Sequence, residues 1–149
     1  MATFNLETFI PYLMTLTGAK VSEAFADVYQ NKLTNPQWRV VCHLVQANTT
    51  LTSKQLCDLA MLDKSTASRA ISELQNMGWL KIEPCAADKR AKQVRLTSTG
   101  KQQFDALVPV AMHWQKVLLE EFNDDEISLL IRCLSKLESK SEEIKKAHQ

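Results

Sequence analysis

The amino-acid sequence predicts a mainly helical protein that carries one small β-hairpin. Over most of its 149 residues, apolar side chains recur at the spacing of one helix face. Thr34, Thr52, Asp63 and Asn123 each precede such a segment, and residues of these types cap helix N-termini. After Gly78 the apolar residues alternate with polar ones, which is the period of a β-strand.

Two amphipathic helices are predicted at the beginning of the chain. The apolar face of the first covers residues 6–28, and Pro11 is expected near its start because a proline deeper inside would remove a backbone hydrogen bond. The second begins at Thr34, whose hydroxyl can accept from the amide of Gln37 while the Gln37 side chain reaches back. Residues 47–50 are expected to end it.

A short third helix and a longer fourth helix follow. Thr52 and Gln55 repeat the capping pattern at the start of the third helix, which is expected to point Leu56, Leu59 and Ala60 inward. Asp63 caps the fourth helix over residues 64–77, and Gly78 provides its C-terminal stop. The side chains predicted on its buried face are Ala67, Ala70, Ile71, Leu74 and Met77.

The hairpin separates this pair of helices from two more. Its strands alternate over residues 80–83 and 93–96, and residues 84–92 form a polar, basic loop. Thr97 caps a fifth helix, in which a bend is expected at Pro109, and the sixth helix follows Asn123. The buried stripe predicted for the fifth helix contains Phe104, Leu107, Val108, Ala111, Trp114 and Leu118.

Composition and cysteine spacing restrict the class of protein. Hydrophobic residues make up 45% and charged residues 23%, an ordinary globular balance. The cysteines at 42, 57, 85 and 133 form no CxxC pair, so no metal site is expected and reduced thiols in a cytosol are the simplest interpretation. Because neither a signal peptide nor an apolar run of membrane length is evident, we expect a cytoplasmic protein without membrane contact.

Charge is concentrated in the middle of the chain. The formal net charge is +1, but residues 53–101 hold nine basic and five acidic residues, which gives +4 and leaves −3 for the rest. A basic centre between acidic flanks is expected if one face meets phosphates. A solvated surface without function shows the same pattern in some proteins.

The order helix, short helix, turn, helix, hairpin is that of a winged helix-turn-helix. The fourth helix exposes small hydroxyls and a cation that suit the floor of a major groove and nearby phosphates. A solvated helix face is the alternative interpretation. The candidate DNA-binding residues on the two helices are Lys54, Lys64, Ser65, Thr66, Ser68, Arg69 and Ser72.

The hairpin loop supplies a second set of candidates. Lys89, Arg90 and Lys92 cluster at its tip, where a long arginine can enter a narrow minor groove. Asp88 can pair with Arg90 or with turn amides and so fix the shape of the loop. The alternative interpretation is that the basic tip only increases the solubility of the protein.

These motifs resemble the MarR/SlyA regulators. Residues 88–97 are similar to the wing signature of that family, in which D-x-R precedes an alternating strand and then L-T. Residues 63–69, with Leu74 and residues 78–80, resemble its recognition helix and exit, and residues 33–38 resemble the start of its second helix. The resemblance implies a winged helix-turn-helix with N- and C-terminal dimerisation helices and a function in DNA-binding regulation.

The resemblance also implies partners. Residues 1–149 would form a single domain, with residues 34–99 as the DNA-binding lobe and residues 5–30 and 100–147 as dimerisation helices. The partners would be double-stranded DNA, with a pseudo-palindromic operator, and a second copy of the chain. No cofactor is expected, but a small phenolic or apolar effector of a repressor would bind between the lobe and the dimer interface.

The sequence offers four candidate residues for sensing an effector or an oxidant. Trp38, His43 and Trp114 are expected near such an effector, although lone histidines on helices are more often structural. Cys85 is a redox candidate because basic neighbours in its turn would lower its pKa. The other cysteines fall at positions typical of packing.

Two alternative functions compete with sequence-specific DNA binding. A winged helix can instead bind RNA or serve as a protein-interaction surface. An enzyme is disfavoured because the sequence has only three glycines, no phosphate-binding loop and no nucleophile elbow.

Overall fold

A computed structural model describes residues 4–29, 32–85 and 91–148 of the chain. The elements in chain order are α1 (Ile10–Tyr29), α2 (Asn35–Ala47), β1 (Leu51–Thr52), α3 (Ser53–Leu59), α4 (Lys64–Asn76), β2 (Leu80–Pro84), β3 (Lys92–Leu96), α5 (Ser98–Leu118) and α6 (Asp124–Ala147). Two compact units, Met1–Ala111 and Met112–Gln149, divide the chain. This mainly helical architecture with a small antiparallel sheet confirms the predicted fold class.

The N-terminal caps lie where the sequence predicts them. Helix α1 begins at Ile10 with Pro11 in its first turn, so residues 6–9 of the predicted stripe precede the helix. The capping box of α2 is present: the Thr34 amide donates to Gln37 Oε1 at 2.8 Å, and the Gln37 amide donates to Thr34 Oγ1 at 3.4 Å. Asn48 then ends α2 with a left-handed φ of 49°.

Two of the predicted inward side chains are exposed. Leu56 and Ala60 are buried one helical turn apart, but Leu59 is 50% exposed because it lies off that line on a helix of only seven residues. Met77 is 42% exposed because it is the C-cap of α4, where the chain leaves the helix before the left-handed Gly78. The predicted inward positions of Leu59 and Met77 are therefore wrong.

The sheet contains one strand more than the predicted hairpin. Its order is β1-β3-β2, and both pairings are antiparallel. Val94 lies opposite Leu51 on one side and Ile82 on the other. Strand β1 is only two residues long, too short to show an alternating pattern, and it lies immediately before α3.

The core of the first unit lies where α2, α3, α4 and the sheet meet. Val40, Val41, Leu56, Leu74 and Val94 have no exposed surface. The last two residues of α1 that face this core, Val28 and Tyr29, pack against it.

The predicted buried stripe of α5 is only partly buried in the single chain. Phe104 and Leu107 are in the core, whereas Val108 and Leu118 are 37% and 43% exposed, so those two assignments are wrong for a lone chain. Ala111 and Trp114 are half-buried. Helix α6 has its predicted capping box at Asn123, but none of its residues is buried. In the part of the chain that the structure describes, none of the helices is long and apolar enough to cross a membrane.

Candidate nucleic-acid interface

Packing determines which side of α4 reaches solvent. Its buried side chains, Ala67, Ala70, Ile71 and Leu74, face α2, α3 and β2. The opposite side is therefore exposed, as the sequence predicts. The exposed residues are Lys64, Ser65, Ser68, Arg69, Ser72, Glu73, Gln75 and Asn76, and the predicted candidate Thr66 is half-buried.

The first turn of α4 is fixed by Asp63. Its Oδ1 accepts from the Thr66 amide at 2.9 Å and its Oδ2 accepts from the Thr66 hydroxyl at 2.6 Å. These bonds, the one from the hydroxyl above all, hold the pKa of Asp63 below its ordinary value, so the cap is ionised at neutral pH. The Thr66 proton is used in this cap, which leaves its oxygen and methyl group for contacts outside the helix.

The turn between α3 and α4 is also ordered by internal bonds. The Cys57 thiol donates to the Leu62 carbonyl at 2.9 Å, and the Leu62 amide donates to the Cys57 carbonyl at 3.1 Å. Met61 has a φ of 50°, which is unusual for a residue with a side chain. The bonds on either side of Met61 explain how this conformation is held.

Exposed cations divide into paired and unpaired groups. Lys81 Nζ lies 2.5 Å from Glu83 Oε1 and Arg95 Nε lies 3.6 Å from Glu83 Oε2, and the bond and charge of Lys81 hold the pKa of Glu83 below its ordinary value. No described residue forms an ion pair with the other exposed cations of α3, α4 and β3. These are Lys54, Lys64, Arg69 and Lys92.

The tip of the hairpin falls outside the described residues. The candidates Asp88, Lys89 and Arg90 belong to that segment, so their predicted roles stay predictions. At its base, Lys92 is exposed opposite Pro84, and the amide of Cys85 donates to the Ala91 carbonyl at 2.9 Å. The Cys85 side chain is half-buried.

A contact between α2 and α4 was not predicted from the sequence. Gln37, only 5% exposed, uses its side-chain oxygen in the α2 cap and donates through Nε2 to Glu73 Oε2 at 2.8 Å. The two residues are 36 positions apart, so no local pattern signals the pair. Their bond ties the start of α2 to the recognition helix.

Aromatic rings fill the region where α1, α2 and α5 meet. Trp38 stacks on Tyr29 at 5.2 Å between ring centroids and an interplanar angle of 6°, and it stacks on Phe104 at 5.4 Å. Phe25 meets both Tyr29 and Trp38 edge-on. Trp38, one of the three predicted effector residues, lies in the centre of this cluster.

The Tyr29 hydroxyl in this cluster is buried without a hydrogen-bond partner among the described residues. Burial raises the pKa of the Tyr29 phenol, and a polar interaction with the Asn35 side chain opposes part of this rise. Burial also raises the pKa of the neighbouring Cys42 thiol to about 11, which keeps it protonated at neutral pH. A ligand that carries a hydrogen-bond acceptor would pair with the Tyr29 hydroxyl.

The other predicted effector residues are placed separately. His43 is half-buried on α2, and Trp114 is half-buried in the second compact unit. A surface groove of about 360 Å³ lies beside the end of α2 and the start of α5, lined by Leu44, Asn48, Leu96 and Lys101 among others. None of the three predicted effector residues lines this groove. Within residues 4–29, 32–85 and 91–148, no cluster of three possible metal ligands occurs.

These elements define the class of the protein. Two helices joined by a tight turn, the second capped and exposed along one face, are followed by a two-stranded ribbon and packed on a short third strand. This is the arrangement of a winged helix-turn-helix DNA-binding protein.

Comparisons with known proteins show which family this chain is similar to. Residues 31–91 match the sequence model of the MarR family. A MarR family transcriptional regulator from Silicibacter pomeroyi is 26% identical, with 91% of each chain covered and a TM-score of 0.81. The family model covers the DNA-binding lobe and the solved regulator covers nearly the whole chain, and both support the MarR-family resemblance found in the sequence.

Two more distant structures share the fold. PcaV from Streptomyces coelicolor, solved with its natural ligand, is 23% identical, with 93% of this chain and 98% of its own covered and a TM-score of 0.73. BpsR from Bordetella bronchiseptica, whose DNA binding is regulated by 6-hydroxynicotinic acid, is 20% identical, with 92% and 98% covered and a TM-score of 0.80.

Proposed function

We propose that this regulator is a cytoplasmic repressor that binds a pseudo-palindromic operator as a homodimer and releases it when a small effector binds. The observation that carries the proposal is the exposed face of α4, on which Lys64 and Arg69 have no ion-pair partner among the described residues. Cations left unpaired on a recognition helix are available to phosphates and base edges.

Helix α4 would read the major groove. The serines at 65, 68 and 72 are short enough for the helix to approach base edges, and Arg69 is long enough to reach a guanine or a phosphate. Lys54 at the start of α3 would contact the backbone. Specificity is therefore assigned to α4.

The wing would add affinity that depends little on sequence. Lys92 is exposed at the base of the ribbon, and the sequence places Lys89 and Arg90 at its tip, with Asp88 to shape the loop. A basic tip responds to the width and negative potential of the minor groove. Lys81 and Arg95 contribute less because Glu83 already pairs with them.

The test distinguishes the role proposed for α4 from the role proposed for the wing. A duplex is selected from a random-sequence pool with the wild-type protein, and binding of Arg69→Ala and Arg90→Ala is measured against its single-base variants and at several salt concentrations. Arg69→Ala should reorder the variants, since a base contact discriminates by about 1–3 kcal/mol. Arg90→Ala should weaken all of them and reduce the slope of log K against log salt by about 1.8 for a dimer.

The control for this experiment is Lys140→Ala, which removes an exposed cation already paired with Glu143 at 2.8 Å. It should leave affinity and slope unchanged. An unaltered slope in Arg90→Ala would contradict the wing assignment, and preference for single-stranded RNA or failure to select any duplex would contradict the proposed function.

Homodimer formation is supported by apolar side chains that the single chain leaves exposed. They lie on α1, α5 and α6, and on α6 alone they include Leu129, Leu130, Ile131, Leu134, Leu137 and Ile144, each at least 39% exposed. Monomeric proteins rarely expose apolar stripes of this extent. A second copy would cover them, and two-fold symmetry would set half-sites about 10 bp apart or a multiple of that.

The effector is proposed to be a small phenolic or apolar molecule at the aromatic cluster around Trp38. Among the described residues, no acceptor pairs with the Tyr29 hydroxyl there. The DNA binding of BpsR, which has a similar fold, is regulated by 6-hydroxynicotinic acid, a hydroxylated aromatic acid. A coupling of about 1–3 kcal/mol would change DNA affinity about 5- to 150-fold.

Cys85 is the alternative sensor. It keeps the role of a redox candidate because its side chain is partly accessible at the base of the wing. Derepression that depended wholly on Cys85 would contradict a reversible aromatic effector, and Cys85→Ser should therefore leave the response to salicylate intact.

A further inference from the structure

Glu73 lies on α4 one helical turn after Arg69. Residues at this i, i+4 spacing are neighbours on a helix surface, and opposite charges there attract each other. Both side chains belong to exposed residues, yet Arg69 forms no ion pair with any described residue. The Glu73 carboxylate instead accepts from Gln37 Nε2 at 2.8 Å.

Gln37 is well placed to compete for this carboxylate. Its side-chain oxygen is fixed by the Thr34 amide at 2.8 Å, so its NH₂ group is directed away from the cap. It is also 5% exposed, which limits alternative rotamers and alternative partners. The Arg69 pair is the weaker competitor because the cation is N-terminal to the acid, the less favourable orientation on a helix.

We propose that Gln37 is a positioning residue for DNA recognition: by holding the Glu73 carboxylate against α2, it keeps Arg69 free of an intrahelical ion pair and available to the operator. The proposal rests on the proposed function of α4. Gln37 does not touch DNA in this account. It acts through Glu73, and its loss would let Glu73 neutralise Arg69.

The test uses a charge exchange that preserves the cap. Gln37→Glu keeps an oxygen for the Thr34 amide but loses the donor to Glu73 and repels it. Adding Glu73→Gln restores a donor and acceptor across the two helices with the net charge of the wild type. Glu73→Gln alone is the matched control, since the amide oxygen still accepts from Gln37 and no acid is left to capture Arg69.

Affinity is measured for the duplex that the wild type selects from a random pool. Gln37→Glu should weaken binding by about twofold for each subunit and about fourfold for a dimer, because an ion pair at this spacing shifts an equilibrium by about twofold. The double variant and Glu73→Gln should bind at least as tightly as the wild type. In an Arg69→Ala background, Gln37→Glu should have no further effect.

A measurement on the DNA-free protein keeps the inference separate from the proposed function. The side-chain Nε–H resonance of Arg69 should shift in Gln37→Glu and return to the wild-type position in the double variant. An unchanged resonance in Gln37→Glu, or an equal loss of DNA affinity in the Arg69→Ala background, would overturn the inference. Failure of the wild type to select any duplex would overturn the proposed function, while the resonance would still decide the inference.

Discussion

At the scale of single residues, the Tyr29 hydroxyl is a buried polar group without a hydrogen-bond partner among the described residues. Its ring stacks on Trp38 and contributes to the core, but no described residue accepts its proton. A buried polar group without a partner costs about 1–3 kcal/mol. A site with a buried, unpaired hydroxyl is a candidate for binding a ligand that accepts a hydrogen bond from it.

Tyr29→Phe tests this interpretation. Removing the hydroxyl should raise the free energy of unfolding of the unliganded protein by about 1 kcal/mol and reduce the stabilisation given by salicylate. Thermal unfolding with and without salicylate measures both effects. Tyr12→Phe, at a ring that is 43% exposed, should change neither. A destabilised Tyr29→Phe would mean that the hydroxyl has a partner in solution, with Asn35 the nearest candidate.

Residue-level prediction from the sequence succeeds where the interaction is local. The bond between Thr34 and Gln37 spans three positions and follows from a known cap pattern, and so does that between Asp63 and Thr66. The other bond of Gln37, to Glu73, spans 36 positions and depends on how two helices pack. Spacing along one helix cannot reveal it.

At the scale of elements, the start of α5 is locked to the exit of α4. The Thr97 amide donates to the Trp79 carbonyl at 2.9 Å, and the Thr97 hydroxyl donates to the Gly78 carbonyl at 2.7 Å and accepts from the Gly100 amide at 2.9 Å. A Cβ atom at Gly100 would overlap the Trp79 carbonyl oxygen. Only glycine permits this approach of helix to turn.

Gly100→Ala should therefore destabilise the protein by about 1–3 kcal/mol, since backbone atoms must move to admit one methyl group. Urea unfolding measures the change. The control is Gly18→Ala in α1, where nothing described lies within 4 Å of the added atom and the higher helix propensity of alanine should stabilise by up to about 1 kcal/mol. Equal effects of the two substitutions would contradict a close approach at Gly100.

Elements were predictable from sequence to the extent that caps and periodicity agree. The four predicted caps at Thr34, Thr52, Asp63 and Asn123 are all present, and the paired strands match their alternating pattern. Strand β1 was missed because pairing with β3, a non-local contact, is what makes its two residues a strand. Thr97 was recognisable as a cap, whereas the close approach at Gly100 depends on tertiary packing.

At the scale of the whole molecule, the proposed DNA-binding cations and the longest exposed apolar stripe lie on different elements. The cations proposed to contact DNA belong to α3, α4 and the hairpin, whereas helix α6 carries an apolar stripe with no buried residue. The sequence analysis assigned residues 100–147 to dimerisation, and in the single chain the apolar side chains of α6 are exposed. A stripe of this kind is explained by a partner that the single chain lacks.

The last prediction tests whether that partner is a second copy. The wild type should sediment at micromolar concentration as one species of about twice the 16.9 kDa chain mass. Leu134→Asp places a charge in the apolar stripe and should shift the protein toward monomer. Because Leu134 is 46% exposed in the single chain, the monomer should keep its helical circular dichroism.

The matched control is Ser135→Asp, which adds the same charge at the next, exposed polar position of α6. It should leave the sedimenting species and operator binding unchanged. Leu134→Asp should lose most of its affinity for a duplex with two half-sites, because the second half-site is then no longer bound at high effective concentration. A wild type that sediments as a folded monomer would show that the α6 stripe serves some partner other than this chain.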